Sequence, residues 1–188
     1  NQLKNYGRTI VKETFESYLI RLENRNPKKD IWIYNIINGV TEQDSILYRD
    51  ELCIVIPTYT WDSNDTSKLH ILCLPTDTRL RTIRSLTSEH IPLLEHMKRE
   101  TIQTIKNNYD LDESNLKMFF HYEPSTYHLH IHFVNIANDK VRSSVEYSHE
   151  LNSVLFNLSI CSDYYRIAML NTSKEVNEDD KYEDESED

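Results

Sequence analysis

Glycine is almost missing from this chain: Gly7 and Gly39 are the only two among 188 residues. Phosphate-cradling loops of the P-loop or dinucleotide-binding kind need several glycines, so any phosphate chemistry here falls to side chains. Long apolar runs are missing too. No stretch approaches the ~20 residues that cross a bilayer, so no spanning helix and no membrane partner is expected. Positive charge is scarce, with 21 Lys plus Arg against 31 Asp plus Glu and a net charge of −10. The acid excess is local. Residues 175–188 hold nine acids and one base, which leaves 22 acids and 20 bases in the first 174 residues. A nearly neutral body lacks the basic footprint that long nucleic acid requires. Cysteine is limited to Cys53, Cys73 and Cys161. An odd, widely spaced set reads as free thiols in a reducing compartment, not as a disulfide framework.

What is present is a regular alternation of amphipathic and apolar segments. Val11, Phe15, Tyr18 and Leu22 recur at helical spacing and predict a helix over 8–26, stopped at Asn26-Pro27. Residues 31–37 are too apolar for a loop and predict a short buried helix before Gly39. Strands are expected at 45–48, 52–57 and 69–74, bounded by turn residues and by Pro75. Thr87 is a suitable cap for a long helix to about 107, with Leu94, Met97, Ile102 and Ile105 as its inner stripe. Strands at 116–122 and 128–136, a helix at 145–158 and a last strand at 164–170 complete the body. Two antiparallel hairpins around one long helix make an α+β domain. The division is 1–40 as a helical linker segment, 41–172 as the main domain and 173–188 as a disordered acidic tail.

The chemistry concentrates in His128-Leu129-His130-Ile131-His132. In a strand, side chains alternate, so three imidazoles share one face while Leu129, Ile131 and Phe133 anchor the other. Neighbours on that face lie about 6.6–7 Å apart. His121, on the preceding strand across Glu123-Pro124-Ser125-Thr126, is placed to join them. Three readings compete at this level: incidental histidines on a polar face, a His-x-His metal site, and phosphate chemistry. In the last, a neutral imidazole attacks phosphorus while a protonated neighbour stabilises the oxyanion. No cysteine and no carboxylate beyond Glu123 stands near the run to complete a metal shell.

Residues 120–133, Phe-His-Tyr-Glu-Pro-Ser-Thr-Tyr-His-Leu-His-Ile-His-Phe, resemble the histidine-triad signature of the scavenger mRNA decapping enzymes. The likeness continues in Arg84-Ser85-Leu86-Thr87-Ser88-Glu89-His90-Ile91-Pro92, in Trp32-Ile33-Tyr34-Asn35-Ile36, and in Pro57 and Trp61. It covers about residues 10–170. The resemblance implies a histidine-triad (HIT-like) domain with an antiparallel sheet and a long helix. It implies hydrolysis of the triphosphate bridge of 7-methylguanosine cap dinucleotides or short capped oligonucleotides, releasing 7-methyl-GMP. His130 is then the nucleophile, His128 and His132 orient it and stabilise charge, and His121 and Ser125 contact the phosphates. No metal and no cofactor is needed. Trp32 matches the residue that stacks on the cationic methylated base, a contact of about 1–2 kcal/mol when desolvated. Glu42 matches the carboxylate that reads the guanine edge, and Pro57 and Tyr59 match the opposite wall. A homodimer in the cytoplasm, and also the nucleus, is implied.

The departures from that family are specific. Thr60 stands where it has a phosphate-binding lysine, Tyr147 where it has an arginine, and Thr126 and His70 where it has tyrosines. Its N-terminal domain has no counterpart in these 188 residues. Loss of two cations beside a polyphosphate costs several kcal/mol of transition-state stabilisation, which is orders of magnitude in rate. Lys68, Lys140 and Arg142 are the candidates to compensate. The second hypothesis is therefore a weakened paralogue that binds cap analogues or regulates an active partner. A general nucleotide-binding histidine-triad hydrolase comes third, because adenine mononucleotides require neither Trp32 nor Glu42.

Overall fold

The computed structural model describes residues 7–175. In chain order these form β1 (Arg8–Glu13), α1 (Phe15–Glu23), α2 (Ile31–Ile37), β2 (Tyr48–Arg49), β3 (Cys53–Pro57), β4 (His70–Pro75) and α3 (Ile91–Tyr109). There follow β5 (Leu116–His121), β6 (Ile131–Asn135), β7 (Ser148–Glu150), α4 (Leu151–Ile160), α5 (Tyr164–Ile167) and β8 (Leu170–Glu175). Six strands make one antiparallel sheet in the order β2-β3-β4-β6-β5-β7, and β1 pairs with β8 in a separate ribbon.

Alternation along the strands explains how this sheet packs. Cys53 and Val55 of β3, Ile71 and Cys73 of β4, Ile131 and Phe133 of β6, and Met118 and Phe120 of β5 enter one core with Leu94, Met97 and Ile105 of α3. The opposite residues, Ile54, Ile56, Leu72 and Leu74, meet Ile33, Ile36 and Ile37 of α2. Strands apolar on both faces are what a two-sided sheet needs. The α2 helix covers only the β3–β4 half of that second face. Across β4, β6 and β5 the same face carries His70, His132, Phe119 and His121, as the pairing of Leu72 and Phe119 with His132 requires. The half-covered sheet is what creates a site.

Several segments differ from the sequence reading. Residues 8–13 are strand, not the start of a helix: Ile10 and Val11 pair with Ser173 and Thr172, and helix begins only after Thr14, whose side chain accepts the Ser17 N–H. Thr9, Ile10 and Val11 are β-branched, which favours the extended state once a partner strand exists. That partner is β8, which runs through Ser173, Lys174 and Glu175, so the stretch expected as tail starts with strand. Residues 176–188 lie outside the described residues. Residues 164–167 form a short helix instead of a strand. Thr87 caps a single 3-10 turn, with His90 completing the box, before α3 proper starts at Ile91. The helix expected over 145–158 begins at Leu151, where Glu150 caps it by accepting the Ser153 N–H at 2.7 Å. Cys53 and Cys73 are buried free thiols, and Cys161 is half-buried.

Candidate active site

The histidine run behaves differently from a regular strand. Ladder pairing starts at Ile131, and residues 128–130 are irregular. The imidazoles are fixed by backbone carbonyls instead. His128 is fully buried, and its Nε2 lies 2.7 Å from the carbonyl oxygen of Pro75. His130 Nδ1 lies 2.8 Å from the carbonyl oxygen of His128. His121 Nε2 lies 2.7 Å from the carbonyl oxygen of Arg142. A carbonyl only accepts, so each of these nitrogens carries the proton. The neutral rings of His130 and His121 are thereby left with lone pairs at Nε2 and Nδ1 respectively.

The run closes into a cluster centred on His132. Its ring centroid is 5.0 Å from that of His130, 4.3 Å from His121 and 5.2 Å from His70, and it stacks on Phe119 at 5.1 Å. His132 Nδ1 and His70 Nε2 are 2.9 Å apart and share one proton-mediated bond. His132 Nε2 and His128 Nδ1 are buried without a hydrogen-bond partner. Buried polar atoms left unpartnered are rare and mark places where a ligand or water is expected. Burial pushes His130 and His70 down to about 4, and neighbouring imidazoles add to the shift of His70. His132 lies well below the usual imidazole value, through burial and then its three histidine neighbours. Burial also lowers His128 and His121. At neutral pH the row is uncharged.

Trp32, Glu42, Pro57 and Tyr59, expected to form the base pocket, lie on or just beyond α2 and β3, which share the second apolar cluster. Trp32 follows Ile31 on α2 and is 40% exposed, while its neighbour Ile33 is fully buried. The buried helix expected here is thus buried on one side only, with the indole on the outside. Tyr34 of the same helix makes an edge contact with His128, ring centroids 5.8 Å apart, so α2 sits beside the histidine run. Glu42 lies in the loop after α2 with φ of +56°, a region that favours glycine. The adjacent Gln43 amide holds that loop by donating to the carbonyls of Ile36 and Thr41. Pro57 ends β3 next to Ile56, which packs on α2, and Tyr59 is 87% exposed in the loop beyond. Trp61 is buried against Tyr109 and belongs to the core.

Asp30 locks this arrangement. It is buried at the start of α2, takes two bonds from Arg25 at 2.8 and 2.7 Å and one from Arg81 at 3.3 Å, and accepts the Tyr127 N–H at 2.9 Å. Burial opposes its ionisation, yet the bonds from Arg25 and Tyr127 hold its carboxyl below the usual range. Arg25 also donates to the Ser125 carbonyl at 2.6 Å. The α2 helix and the Ser125–Tyr127 turn are tied through one carboxylate. Sequence inspection missed Asp30 and treated His70 only as a replacement. Asp30 followed two lysines in an apparently exposed turn, and no local signal announced its burial.

Two cavities flank the row. One, of about 330 Å3, is lined by His121, Ser125, Arg142 and Tyr147 among others. The second, of about 420 Å3, is lined by Thr60, Lys68, His70 and Lys140 among others. Among the described residues, the grouping with metal-like spacing is Asp50, Cys53 and His96, on the other side of the sheet. There Asp50 already accepts from Tyr48 Oη at 2.7 Å, His96 Nε2 at 2.6 Å and the N–H groups of Leu52 and Cys53.

An antiparallel α+β sheet with alternating histidines at its uncovered half defines a histidine-triad domain. The family description "Scavenger mRNA decapping enzyme C-term binding" matches residues 31–147, more than half of the chain, and the chain belongs to that family. Among curated relatives, a protein of Ascaris suum named m7GpppX diphosphatase is 32% identical over 180 residues, covering 92% of this chain and 60% of that protein. One of Schizosaccharomyces pombe with the same name is 33% identical over 138 residues, covering 69% of this chain and 45% of the relative. The human protein of that name is 29% identical over 165 residues, covering 84% and 49%. The chain therefore spans about half the length of the curated relatives it matches. The solved structure of Hnt3 in complex with DNA and guanosine overlays with a TM-score of 0.46 at 16% identity, covering 73% of this chain and 80% of that one.

Proposed function

We propose that this domain hydrolyses the triphosphate bridge of 7-methylguanosine cap dinucleotides or short capped oligonucleotides, releasing 7-methyl-GMP. The observation that carries the reading is the state of His130. Its Nδ1 proton is held by the His128 carbonyl, and its pKa is pushed down to about 4. A neutral ring with a lone pair at Nε2 is a nucleophile at physiological pH. In this reading, His130 Nε2 attacks the phosphorus nearest the methylated nucleoside and the remainder of the bridge leaves. Water then attacks the phosphohistidine, frees the imidazole and gives 7-methyl-GMP. His132 Nε2, buried and unpartnered, is available to the transferring phosphate, and His128 fixes the ring of His130 through its carbonyl. An arriving polyphosphate raises the pKa of adjacent imidazoles, so one of them takes up a proton and serves as donor to the leaving oxygen. His121 and Ser125 meet the phosphate chain, Trp32 stacks on the cationic base, Glu42 accepts from its guanine edge, and Pro57 and Tyr59 form the opposing wall. The naming of the curated relatives as m7GpppX diphosphatases supports the substrate class.

The test is incubation with 7-methyl-GpppG while 7-methyl-GMP is followed by chromatography, beside a His130→Asn variant. We expect turnover in the parent and a loss of at least about 10³-fold in the variant. Tight cap-analogue binding without turnover in the parent would replace this reading with that of a weakened paralogue. Unmethylated GpppG cleaved equally well would replace it with that of a general nucleotide hydrolase.

A further inference from the structure

We propose that the Arg142 guanidinium is the cation that receives the phosphate chain in the cavity beside His121, and that Tyr147 is the residue positioning it; this rests on the function proposed above. Arg142 lies on the loop between β6 and β7. Its Cζ sits 3.7 Å from the centroid of the Tyr147 ring, within cation–π range. That ring is itself fixed. Tyr147 is buried, its carbonyl accepts the Tyr122 N–H at 2.7 Å, and its hydroxyl donates to Ser144 Oγ at 3.0 Å. The backbone of Arg142 is fixed by the same site, because its carbonyl accepts the Nε2 proton of His121. One residue thus holds the proton of a candidate phosphate-contacting imidazole with its main chain, while its side chain is laid on an immobilised aromatic platform. Both, with Ser125, line the 330 Å3 cavity.

Two other charged residues of that cavity, Arg8 and Glu123, are already engaged. Arg8 donates to the Ser173 side chain and carbonyl at 3.0–3.2 Å, and Glu123 pairs with Arg21 at 3.0 Å. Glu146 lines the cavity as well, yet among the described residues no carboxylate lies within 4.0 Å of the Arg142 guanidinium. An arginine oriented over a ring, beside a hydroxyl and an imidazole and without a carboxylate partner, suits a phosphate oxygen pair. The ligand class is a polyphosphate.

Inorganic triphosphate, titrated calorimetrically at low salt, reads this subsite without the base pocket. Arg142→Ala removes the guanidinium and keeps the backbone carbonyl that holds His121. We expect at least tenfold weaker triphosphate binding in Arg142→Ala, a severalfold loss in Tyr147→Leu, near-parent affinity in Tyr147→Phe, and a shallower salt dependence in Arg142→Ala. Thermal melts confirm that each variant is folded. Affinity of Arg142→Ala within twofold of the parent, or no binding by the parent at millimolar triphosphate, overturns the proposal. Triphosphate binding that depends on Arg142 in a protein that never cleaves 7-methyl-GpppG would leave the subsite standing and remove the proposed hydrolysis. Cap cleavage unchanged in both KM and kcat by Arg142→Ala would do the opposite.

Discussion

Three imidazoles of the site are each held in one tautomer by an acceptor the sequence does not advertise. Carbonyl oxygens of Pro75, His128 and Arg142 fix His128, His130 and His121. The pH dependence follows from their burial. An unfolded imidazole takes up its proton near pH 6.5, whereas His130 and His70 wait until about 4. Unfolding therefore binds protons between those values. The stability these groups contribute is intact above pH 6.5 and is lost as pH falls toward 4, by up to about 1.4 kcal/mol per pH unit for each ring. Urea midpoints measured at pH 7.5 and 5 should fall accordingly, and a flat profile would contradict neutral burial of the cluster. Catalysis, measured as kcat/KM of cap cleavage, should keep its nucleophile down to near pH 4.

Glu42 gives a second expectation at this scale. Its left-handed backbone costs about 1 kcal/mol or more in a non-glycine residue. Glu42→Gly should therefore raise the thermal midpoint slightly while weakening discrimination of methylated over plain guanine. Trp32→Ala should weaken cap-analogue binding by about 1–2 kcal/mol, roughly five- to thirtyfold, in a fluorescence titration.

Among the elements, α2 matters most, because it brings Tyr34 against His128 and exposes Trp32. It is a seven-residue helix, too short to persist without its tertiary contacts. Asp30→Ala leaves Arg25 and Arg81 without their carboxylate and the Tyr127 N–H without its acceptor. We expect a cost of about 3–5 kcal/mol in chemical denaturation, with cap-analogue affinity lost more steeply than in Trp32→Ala. The β1–β8 ribbon depends on a similar device. Arg84 is fully enclosed and donates to the carbonyls of Tyr165, Ala168 and Glu13 at 2.9, 2.6 and 2.7 Å. Glu13 accepts further from Arg21 and the Tyr122 hydroxyl. Arg84→Met should destabilise by a similar amount, and early hydrogen-exchange loss in β1 and β8 should accompany it.

At the scale of the whole molecule, one sheet face is filled by α3 and the other is shared between α2 and the imidazole row. Ile10 on β1 and Leu19 and Ile20 on α1 are exposed apolar side chains outside both cores. They support the proposal that the protein is a homodimer joined through its first elements. Light scattering should report twice the chain mass of 22.4 kDa, and Leu19→Asp with Ile20→Asp should reduce it to one chain. A monomeric parent at micromolar concentration would exclude that assembly. The near-neutral body also predicts no measurable retention of long RNA at physiological salt.

By itself the sequence determined the α+β class, most of the strands and helices, and the histidine run on which the proposed chemistry rests. Apolar runs at 52–57 and 69–74, bounded by turn residues and Pro75, read as strands, and the stripe of α3 followed from helical periodicity. The His-x-His-x-His run and its neighbours were legible because side-chain type and spacing are local properties. Tertiary structure alone decided what depended on distant partners. Residues 8–13 became strand because 170–175 lay alongside, and 164–167 form a short helix ahead of that pairing. The carbonyls that fix His128 and His121 and the groups that enclose Asp30 come from far along the chain, and the closer pairs His128–His130 and Arg142–Tyr147 take their geometry from the fold around them. Burial and hydrogen bonding are set by the complete environment, so no local window contains them.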